Sequence, residues 1–358
     1  MSVDALDLLL IGTGLVVSGI GLWDQAWTIL GEGGGPITRR VAKSVRQTSQ
    51  HIYRVLPRSR VLSIGGAVAV VATVFCWIWI QWVAWTLVFS GLEVVNATTS
   101  TMANVWERIY FSGYTLSTLG IGNVQPRGPA ALVLTAGSSF VGLVQISFAI
   151  GYIIPMMVAA TDKRRIAITI SCLGESSRDV LVNMWDGDSF EALRHYLEAI
   201  TPELAFLEQR HLSYPILAYF HSHKRSEAIG PSLAVLDETV TLLQRGTAAG
   251  ECGHLGIPSG TLHAVRRSLS TLIETLATAL EASGGDLPPP PDLDQLRDAG
   301  IPVVPDAQFD HDLEEMEDRR RTLLYLVEDD GWTWDAVATS DTERDDEQLS
   351  SLYDTEAI

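Results

Sequence analysis

NVWERIYFSGYTLSTLGIGNVQPRGP, residues 104–129, separates two long apolar runs of the sequence. Its first part, Asn104 to Ser117, carries apolar and aromatic side chains at helical spacing, and it leads into Thr118–Asn123, which reads TLGIGN. The stretch is too polar to cross a bilayer, and too apolar for an ordinary loop. It therefore predicts a re-entrant loop made of a short helix and an irregular segment. Irregular backbone at membrane depth is tolerated only where it is packed in protein or lines a water-filled path, so the stretch also predicts a pore.

The segments on either side predict two membrane-spanning helices. Residues 61–92 and residues 128–161 contain no charged side chain, and each exceeds the roughly 20 apolar residues that cross a bilayer. A third apolar segment, residues 1–30, includes Asp7 and Asp24 and predicts an additional N-terminal transmembrane helix. An interfacial helix is the alternative for this segment.

Basic residues predict the orientation, because Lys and Arg are enriched in the cytoplasmic loops that flank membrane spans. Residues 31–60 hold seven cations and one acid, which predicts a basic cytoplasmic loop. Lys163, Arg164 and Arg165 directly follow the last span. We therefore expect a multi-pass protein of the cell membrane, with its N-terminus outside and everything after Asp162 in the cytoplasm.

The TLGIGN segment suits a row of cation ligands. A permeating cation must exchange its hydration shell for oxygen ligands, and main-chain carbonyls supply them if they all point to one axis. Successive carbonyls of an ordinary strand alternate sides, so alignment requires residues that adopt positive φ cheaply, as Gly120 and Gly122 do. The Thr118 hydroxyl can add a ligand, and the partially negative C-terminal end of the short helix favours a cation.

At these residues the chain resembles the potassium channel superfamily, in the form of the prokaryotic two-transmembrane pore-loop module. Pore loops of that superfamily read much like TxxTxGxGD followed by a proline; here Thr115–Asn123 reads TLSTLGIGN, and Pro126 follows. The resemblance covers about residues 61–160. It implies an ion-binding filter of five residues: Thr118, Leu119, Gly120, Ile121 and Gly122. It also implies Asn123 at the outer mouth, permeant potassium ions, no other cofactor, and a homotetramer embedded in the lipid bilayer.

Two residues depart from the superfamily pattern. Ile121 replaces the usual aromatic residue between the two glycines, and Asn123 replaces the usual acid after them. These departures leave strict selectivity for potassium over sodium open. A poorly selective cation channel or sodium channel is therefore the first alternative. The second is a membrane-anchored sensor or scaffold that acts through its cytoplasmic domain.

The resemblance also implies a gating hinge at Gly142, which falls where the superfamily carries a hinge glycine when residues are counted from the filter. Close helix packing by Gly137, Gly142 and Gly151 is the alternative. No span carries regularly spaced arginines, so we expect weak or no voltage gating. The stimulus is therefore expected from an unknown cytoplasmic regulator.

Residues 162–284 predict a mainly helical cytoplasmic domain. Ile166, Ile168 and Ile170 alternate with smaller or polar residues in a short strand-like run, and apolar residues at helical spacing follow. No GxGxxG sequence follows a strand, so a Rossmann-type nucleotide site is not expected. The histidines match no known metal-ligand spacing, so we predict no metal site.

Residues 285–358 predict a Pro-rich linker and an acidic, largely disordered tail. Asp286–Ile358 holds 22 acids and 5 arginines, which accounts for nearly all of the net charge of -18. Such a segment has too few apolar residues to bury a core. Trp332 and Trp334 give the alternative that part of the tail docks on the helical domain or on a partner.

The predicted fold class is thus an all-α membrane protein. A pore-loop channel domain at residues 61–161 comprises an outer helix, a re-entrant pore helix with its filter, and an inner helix. The expected function is passive cation conduction, with potassium as the expected ion. No catalytic constellation rises above background, and no basic patch outside the juxtamembrane loop suggests nucleic-acid binding. We therefore expect neither an enzyme nor a nucleic-acid partner.

Overall fold

Three long apolar helices dominate the first half of the chain in the computed structural model, which describes residues 4–31, 33–55, 59–248, 255–282 and 285–339. The elements of this half are α1 (Ala5–Leu30), α2 (Pro36–Val55), α3 (Ser59–Ser90), β1 (Val94–Asn96), α4 (Val105–Leu116), β2 (Val124–Pro126) and α5 (Pro129–Ser171). By length and composition, α1, α3 and α5 can each cross a membrane. The first helix is therefore long and apolar enough to span.

The chain forms two compact units. The first comprises Met1–Thr48 with Ala67–Met157, and the second comprises Ser49–Gly66 with Val158–Ile358. The first unit holds α1, α4, both strands and most of the two long helices α3 and α5. The second unit holds the last turns of α5 and the helices that follow it.

Small and polar side chains join α1 to α3 within the first unit. A Cβ on Gly14 would lie 2.5 Å from the Ala84 carbonyl oxygen, so only glycine permits this approach. The Ser18 hydroxyl donates to Gln81 Oε1 at 2.7 Å, and Gln81 Nε2 donates back to the Ser18 carbonyl at 3.0 Å. Hydrogen bonds of this kind, with small residues at the contact, hold helices together where lipid offers no hydrophobic driving force.

The predicted basic loop at residues 31–60 is wrong as a description of local structure, because most of it is the helix α2. Asp24 of α1 is fully buried, and its carboxylate accepts hydrogen bonds from Ile37 N at 2.8 Å and from Trp77 Nε1 at 3.1 Å. Pro36 occupies the first helical position, where its fixed φ is favourable. A carboxylate on the first amides of a helix caps it and complements its dipole.

The strand-like run at Ile166, Ile168 and Ile170 is helical, since α5 continues to Ser171. Ile166 and Ile170 are buried one turn apart, while Ile168 is 42% exposed. Burial on every fourth residue is the period of a helix face. At 1.5 Å per residue, α5 is about 64 Å long, roughly twice the apolar thickness of a bilayer.

The second unit is a bundle of short helices around one buried helix. After α5 come α6 (Ser177–Met184), α7 (Glu191–Ser213), α8 (Ile229–Thr241), α9 (Ser259–Leu280), α10 (Asp294–Asp298), α11 (Asp306–Glu314), α12 (Glu317–Asp329) and α13 (Asp335–Ala338). Every residue of α8 is buried. The helix α8 packs against α6, α9, α12 and α13, and it continues into a π-helical turn at Leu242–Gly246.

The predicted disordered tail is wrong for residues 285–339, which pack onto this bundle. Leu323, Val327 and Trp334 are buried, and the Arg320 guanidinium donates to the Pro288 carbonyl oxygen at 3.1 Å. Arg320 also pairs with buried Glu238 of α8 at 2.9 Å. Docking of this segment was the alternative reading of the tryptophans, and Trp334 fits it. Residues 340–358, which carry the rest of the predicted tail, lie outside the described residues.

Buried polar contacts hold the last turns of α5 within the second unit. Lys163 Nζ donates to the carbonyl oxygens of Leu217 at 3.3 Å and Phe220 at 2.7 Å. His221 Nδ1 lies 2.8 Å from the Asp330 carboxylate. Burial alone would raise the pKa of Asp330, but the hydrogen bond with His221 and the charge of Lys163 lower it below its ordinary value. The ionised form is thus favoured inside the bundle.

His211 of α7 is buried and held neutral. Its Nδ1 lies 2.9 Å from the Leu207 carbonyl oxygen, so this nitrogen carries the proton in the neutral ring. Burial, with the positive charge of Lys163, lowers the pKa of His211 to about 3. A protonated imidazolium is therefore disfavoured in the folded state.

Candidate functional site

The helix α4 begins with a reciprocal cap. The Asn104 side chain accepts from Glu107 N at 3.0 Å, and the Glu107 carboxylate accepts from Asn104 N at 2.7 Å. Asn96 Nδ2 adds a third hydrogen bond to Glu107 at 2.7 Å. A capping box of this kind satisfies backbone amides that the first turn leaves unpaired. The predicted helix from Asn104 to Ser117 is confirmed, with Asn104 as its cap.

Side-chain to backbone bonds fix α4 against the end of α3. The Arg108 guanidinium donates to the Ser90 carbonyl oxygen at 2.8 Å and to the Leu92 carbonyl oxygen at 3.1 Å, and it also bonds the Phe89 carbonyl. A cation at the carbonyl end of a helix is favoured by the helix dipole. Trp82 Nε1 donates to the carbonyl oxygen of Ile109, the residue that follows Arg108, at 2.9 Å.

Aromatic packing continues this contact toward the TLGIGN segment. The Phe89 and Phe111 rings meet edge to face with centroids 4.6 Å apart, and Phe111 meets Tyr114 in the same way at 5.3 Å. The Tyr114 hydroxyl donates to the Val124 carbonyl, just beyond Asn123. These side chains belong to one buried cluster with Val94. The segment is therefore supported from the side of α4.

Backbone bonds hold the two ends of Thr118–Asn123. At its start, Thr118 N donates to the Thr115 carbonyl at 3.0 Å and Leu119 N to the Tyr114 carbonyl at 2.8 Å. At its end, Ala97 N donates to the Asn123 carbonyl at 2.9 Å. The strands β1 and β2 then pair antiparallel with Val95 opposite Gln125. The backbone between these anchors is irregular.

Positive φ recurs at every second residue of the segment. Thr118 has φ 59, Gly120 has φ 60 and Gly122 has φ 81, while Leu119 and Ile121 are not in this region. Left-handed and right-handed backbone conformations therefore alternate along the segment. This alternation rotates every second peptide plane, which brings successive carbonyls to the same side of the chain. Thr118 is the residue for which this conformation is strained, since a side chain disfavours positive φ by about 1 to 2 kcal/mol. The two predicted glycines lie where the backbone needs them.

The carbonyls of this segment are available to a ligand. Among the described residues, none donates a backbone hydrogen bond to the carbonyls of residues 118–121. Residues 118–121 are exposed in the single chain, so water or a bound ligand can reach their carbonyl oxygens. The apolar side chains between them, Leu119 and Ile121, are 64% and 54% exposed in the single chain. A groove of about 290 Å³ lies alongside, lined by Thr115, Thr118, Gly120, Gly122, Thr135 and Ser139 among others.

Sequence comparison relates the chain to a bacterial membrane protein. No family model matches the sequence, and no solved structure matches it. YdjJ of Bacillus subtilis (strain 168), an uncharacterized membrane protein, is 30% identical over 331 residues, which is 90% of this chain and 94% of that protein. The chain belongs to the YdjJ family. An alignment of this length extends over both units of the fold, so the relationship holds for the apolar helices and for the helical bundle.

This YdjJ-family chain is therefore a mostly helical membrane protein with three candidate spanning helices. The Thr118–Asn123 segment lies between two of those helices, α3 and α5. It carries no charged side chain. Its chemistry is that of a row of backbone oxygens, which are ligands for hard cations.

The predicted hinge, Gly142, lies in tight packing in the YdjJ-family chain. A Cβ at Gly142 would lie 1.8 Å from the Leu116 carbonyl oxygen and 2.7 Å from its carbonyl carbon. Leu116 is the last residue of α4, and only Ser117 separates it from the TLGIGN segment. The alternative of close packing is therefore what this contact favours, and a hinge at Gly142 stays a prediction.

Sequence reasoning missed Pro155, which lies inside α5. Proline has no amide hydrogen, so the carbonyl of Gly151, four residues earlier, loses its helical partner. A Cβ at Gly151 would meet no atom within 4 Å, unlike one at Gly142. The Gly-x-x-x-Pro spacing was the signal that would have found this position. The helix α5 of the YdjJ-family chain is thus more easily bent near Pro155 than at Gly142.

Proposed function

We propose that this chain is one subunit of a tetrameric cation channel of the potassium channel type. Its filter is Thr118, Leu119, Gly120, Ile121 and Gly122, Asn123 lies at the outer mouth, and potassium is the expected permeant ion. The observation that carries the proposal is the alternating φ of the segment, together with the carbonyls of residues 118–121, which no described backbone amide pairs. The Gly122 carbonyl accepts a side-chain hydrogen bond from Gln125 Nε2 at 3.1 Å. Aligned, unpaired carbonyls are what a dehydrated monovalent cation requires.

Electrostatics of the surrounding backbone supports a cation at this place. The helix α4 ends at Leu116, and only Ser117 separates it from the filter, so its partially negative carbonyl end lies next to the segment. Residues 118–123 contain no side-chain carboxylate that could bind a divalent ion tightly. Neutral dipoles attract a monovalent ion enough to replace water, yet weakly enough to release it.

The exposure of the filter side chains supports assembly of four copies. One chain supplies one segment, and one row of carbonyls cannot surround an ion. Leu119 and Ile121 are apolar and more than half exposed in the isolated chain. Neighbouring subunits around a fourfold axis would cover these side chains and complete the cage of oxygens.

The second unit is proposed as the regulatory domain. In the proposed orientation the N-terminus lies outside, and this domain is cytoplasmic. Two hydrogen bonds join it to the end of α5: Lys163 Nζ donates to the Phe220 carbonyl oxygen at 2.7 Å, and Arg225 donates to the Ser171 hydroxyl at 3.1 Å. Movement of the domain by an unidentified regulator would therefore act directly on α5. Conduction down a gradient requires no catalysis, and the proposal includes no enzyme activity.

Ion flux through purified protein in liposomes tests the proposal, with potassium inside and sodium outside. A reversal potential near the potassium equilibrium value is expected. Gly120→Ala should abolish the flux, because alanine disfavours φ 60 in the filter. Gly128→Ala is the matched control: Gly128 also has positive φ, 83, and both glycines have open surroundings. Equal flux in both variants, or no flux in the wild type, contradicts the proposal.

A poorly selective cation or sodium channel is the second candidate. It is favoured by two departures from the potassium channel pattern. Ile121 lacks the hydroxyl with which the usual aromatic residue is bonded to neighbouring aromatics, and Asn123 in place of the usual acid leaves the mouth of a tetramer with four fewer negative charges. A reversal potential near zero in the same assay would select this candidate. Loss of cellular function on deletion of residues 162–358, with none in Gly120→Ala, would instead favour a scaffold.

A further inference from the structure

The start of α2 presents a row of cations on one helix face. Arg39, Arg40 and Lys43 are exposed, and Arg46 continues the row at partial exposure. Residues 39, 43 and 46 follow the i, i+4, i+7 spacing of one face. The partly buried Val41 and Val45 lie on the opposite face. Residues 33–55 contain no acidic residue.

A pair of tryptophans marks the level of the lipid headgroups beside this row. Trp23 and Trp27, near the end of α1, are 54% and 49% exposed, and their rings stack with centroids 5.7 Å apart. Exposed tryptophan near the end of a spanning helix is typical of the membrane–water interface. Only residues 31–35 separate α1 from α2.

Buried hydrogen bonds hold the start of α2 at that level. The carboxylate of Asp24, which lies between the two tryptophans in sequence, accepts from Thr38 Oγ1 at 2.8 Å. The Thr28 hydroxyl accepts from Gly35 N at 2.9 Å and lies 3.1 Å from the Thr38 hydroxyl. Arg39 and Arg40 directly follow Thr38. The backbone of Arg39 and Arg40 is therefore held next to this buried cluster at the end of α1.

We propose that Arg39, Arg40 and Lys43 form a binding site for the phosphate headgroups of anionic membrane lipids. Guanidinium groups bind phosphate oxygens with two parallel hydrogen bonds, and lysine adds a point charge. Cations directly beside a spanning helix are attracted to anionic lipid, by an amount that corresponds to about five-fold in binding per charge. The site acts through charge and interfacial position, and it is independent of ion conduction.

Lipid binding to the purified full-length protein in detergent tests the site, with native mass spectrometry as the readout. Phosphatidylglycerol and phosphatidylcholine of the same acyl chains are titrated separately, and the ratio of their binding constants gives the preference. The wild type should prefer phosphatidylglycerol. Arg39→Gln with Lys43→Gln should reduce the preference by about 30-fold. Raising the salt concentration should weaken it in the wild type, since exposed charges are screened.

Arg267→Gln with Lys224→Gln is the matched control, because it removes the same two charge types at exposed positions of the second unit. This variant should keep the wild-type preference, and so should Arg39→Lys. An equal loss in the control variant, or no preference in the wild type, would overturn the site. Displacement of phosphatidylglycerol by millimolar inorganic phosphate would also overturn it, in favour of a soluble anion. None of these measurements depends on ion flux, so their result does not depend on whether the channel proposal holds.

Discussion

Replacement of Gly142 by alanine is expected to destabilise the first unit more than its size suggests. The added Cβ would lie 1.8 Å from the Leu116 carbonyl oxygen, whereas real Cβ atoms need at least 3.0 Å. One of the two helices must then move by about 1.2 Å, because a backbone carbonyl cannot rotate away as a side chain can. Overpacking of this kind costs about 1 to 3 kcal/mol, and the upper end is expected here.

Thermal unfolding of the purified protein, followed by tryptophan fluorescence, measures this effect. Gly151→Ala is the control on the same helix, because its Cβ would meet nothing within 4 Å. Alanine there should be neutral or stabilising by up to about 1 kcal/mol, since it is the better helix former. Equal midpoints for the two variants would refute the packing argument. A normal midpoint for Gly142→Ala combined with reduced channel opening would instead support the hinge.

Three further changes test contacts that hold the fold. Arg108→Gln should destabilise the protein by about 1 to 3 kcal/mol, because carbonyls at the end of α3 lose their donor; thermal unfolding measures the loss. Arg320→Ala should cost about 3 to 5 kcal/mol by leaving Glu238 buried and unpaired, as limited proteolysis and thermal unfolding of the second unit would show. His211→Leu should reduce the acid sensitivity of unfolding. The pKa of His211 is about 3 in the folded protein, below its value in the unfolded chain, so the unfolded chain takes up a proton first as the pH falls. His211 should therefore cost the wild type about 1.4 kcal/mol of stability between pH 8 and pH 5.5.

For each of these three predictions, one experimental outcome would contradict it. Arg127 is exposed, so Arg127→Gln is the control for Arg108→Gln, and similar losses would show that the helix-end contact is unimportant. Burial raises the pKa of Glu238, and pairing with Arg320 opposes this effect. The Arg320→Ala loss should therefore shrink as the pH falls and Glu238 takes up a proton. A stability loss in Arg320→Ala that grows at low pH would contradict that account. For His211, an unchanged pH dependence of unfolding in His211→Leu would contradict the statement that the buried histidine is neutral.

Much of the membrane part could be predicted because its signals are local. Charge-free runs at residues 61–92 and 128–161 predict spans from length alone, and the structure has long helices over both. Asn104 and Glu107 lie three residues apart, so the cap of α4 is visible in sequence. Residue type permits the positive φ at Gly120 and Gly122, although the positive φ at Thr118 could not be expected from it. The channel function inferred from them stays a prediction.

Contacts between distant residues could not be predicted in this way. Gly142 was assigned a hinge by its count from the filter, yet its neighbour is Leu116, and only the return of α5 along α4 brings the two together. The acidic segment after residue 285 has few apolar residues, and that composition favours disorder. It is ordered because Arg320 reaches Glu238, 82 residues away, and because Leu323 and Val327 fit against α8.

The segments that are apolar enough to enter a membrane, and the glycines that allow positive φ, could be recognised from the amino-acid sequence alone. These properties depend on residue type and spacing within a few turns. Contacts between distant residues became visible in the three-dimensional fold: Asp24 caps α2, Arg108 closes the end of α3, and residues 285–339 complete the helical bundle. Each of those contacts depends on where the chain returns in space, and the energy of a buried charge or a tight glycine contact is set by the partner it meets there.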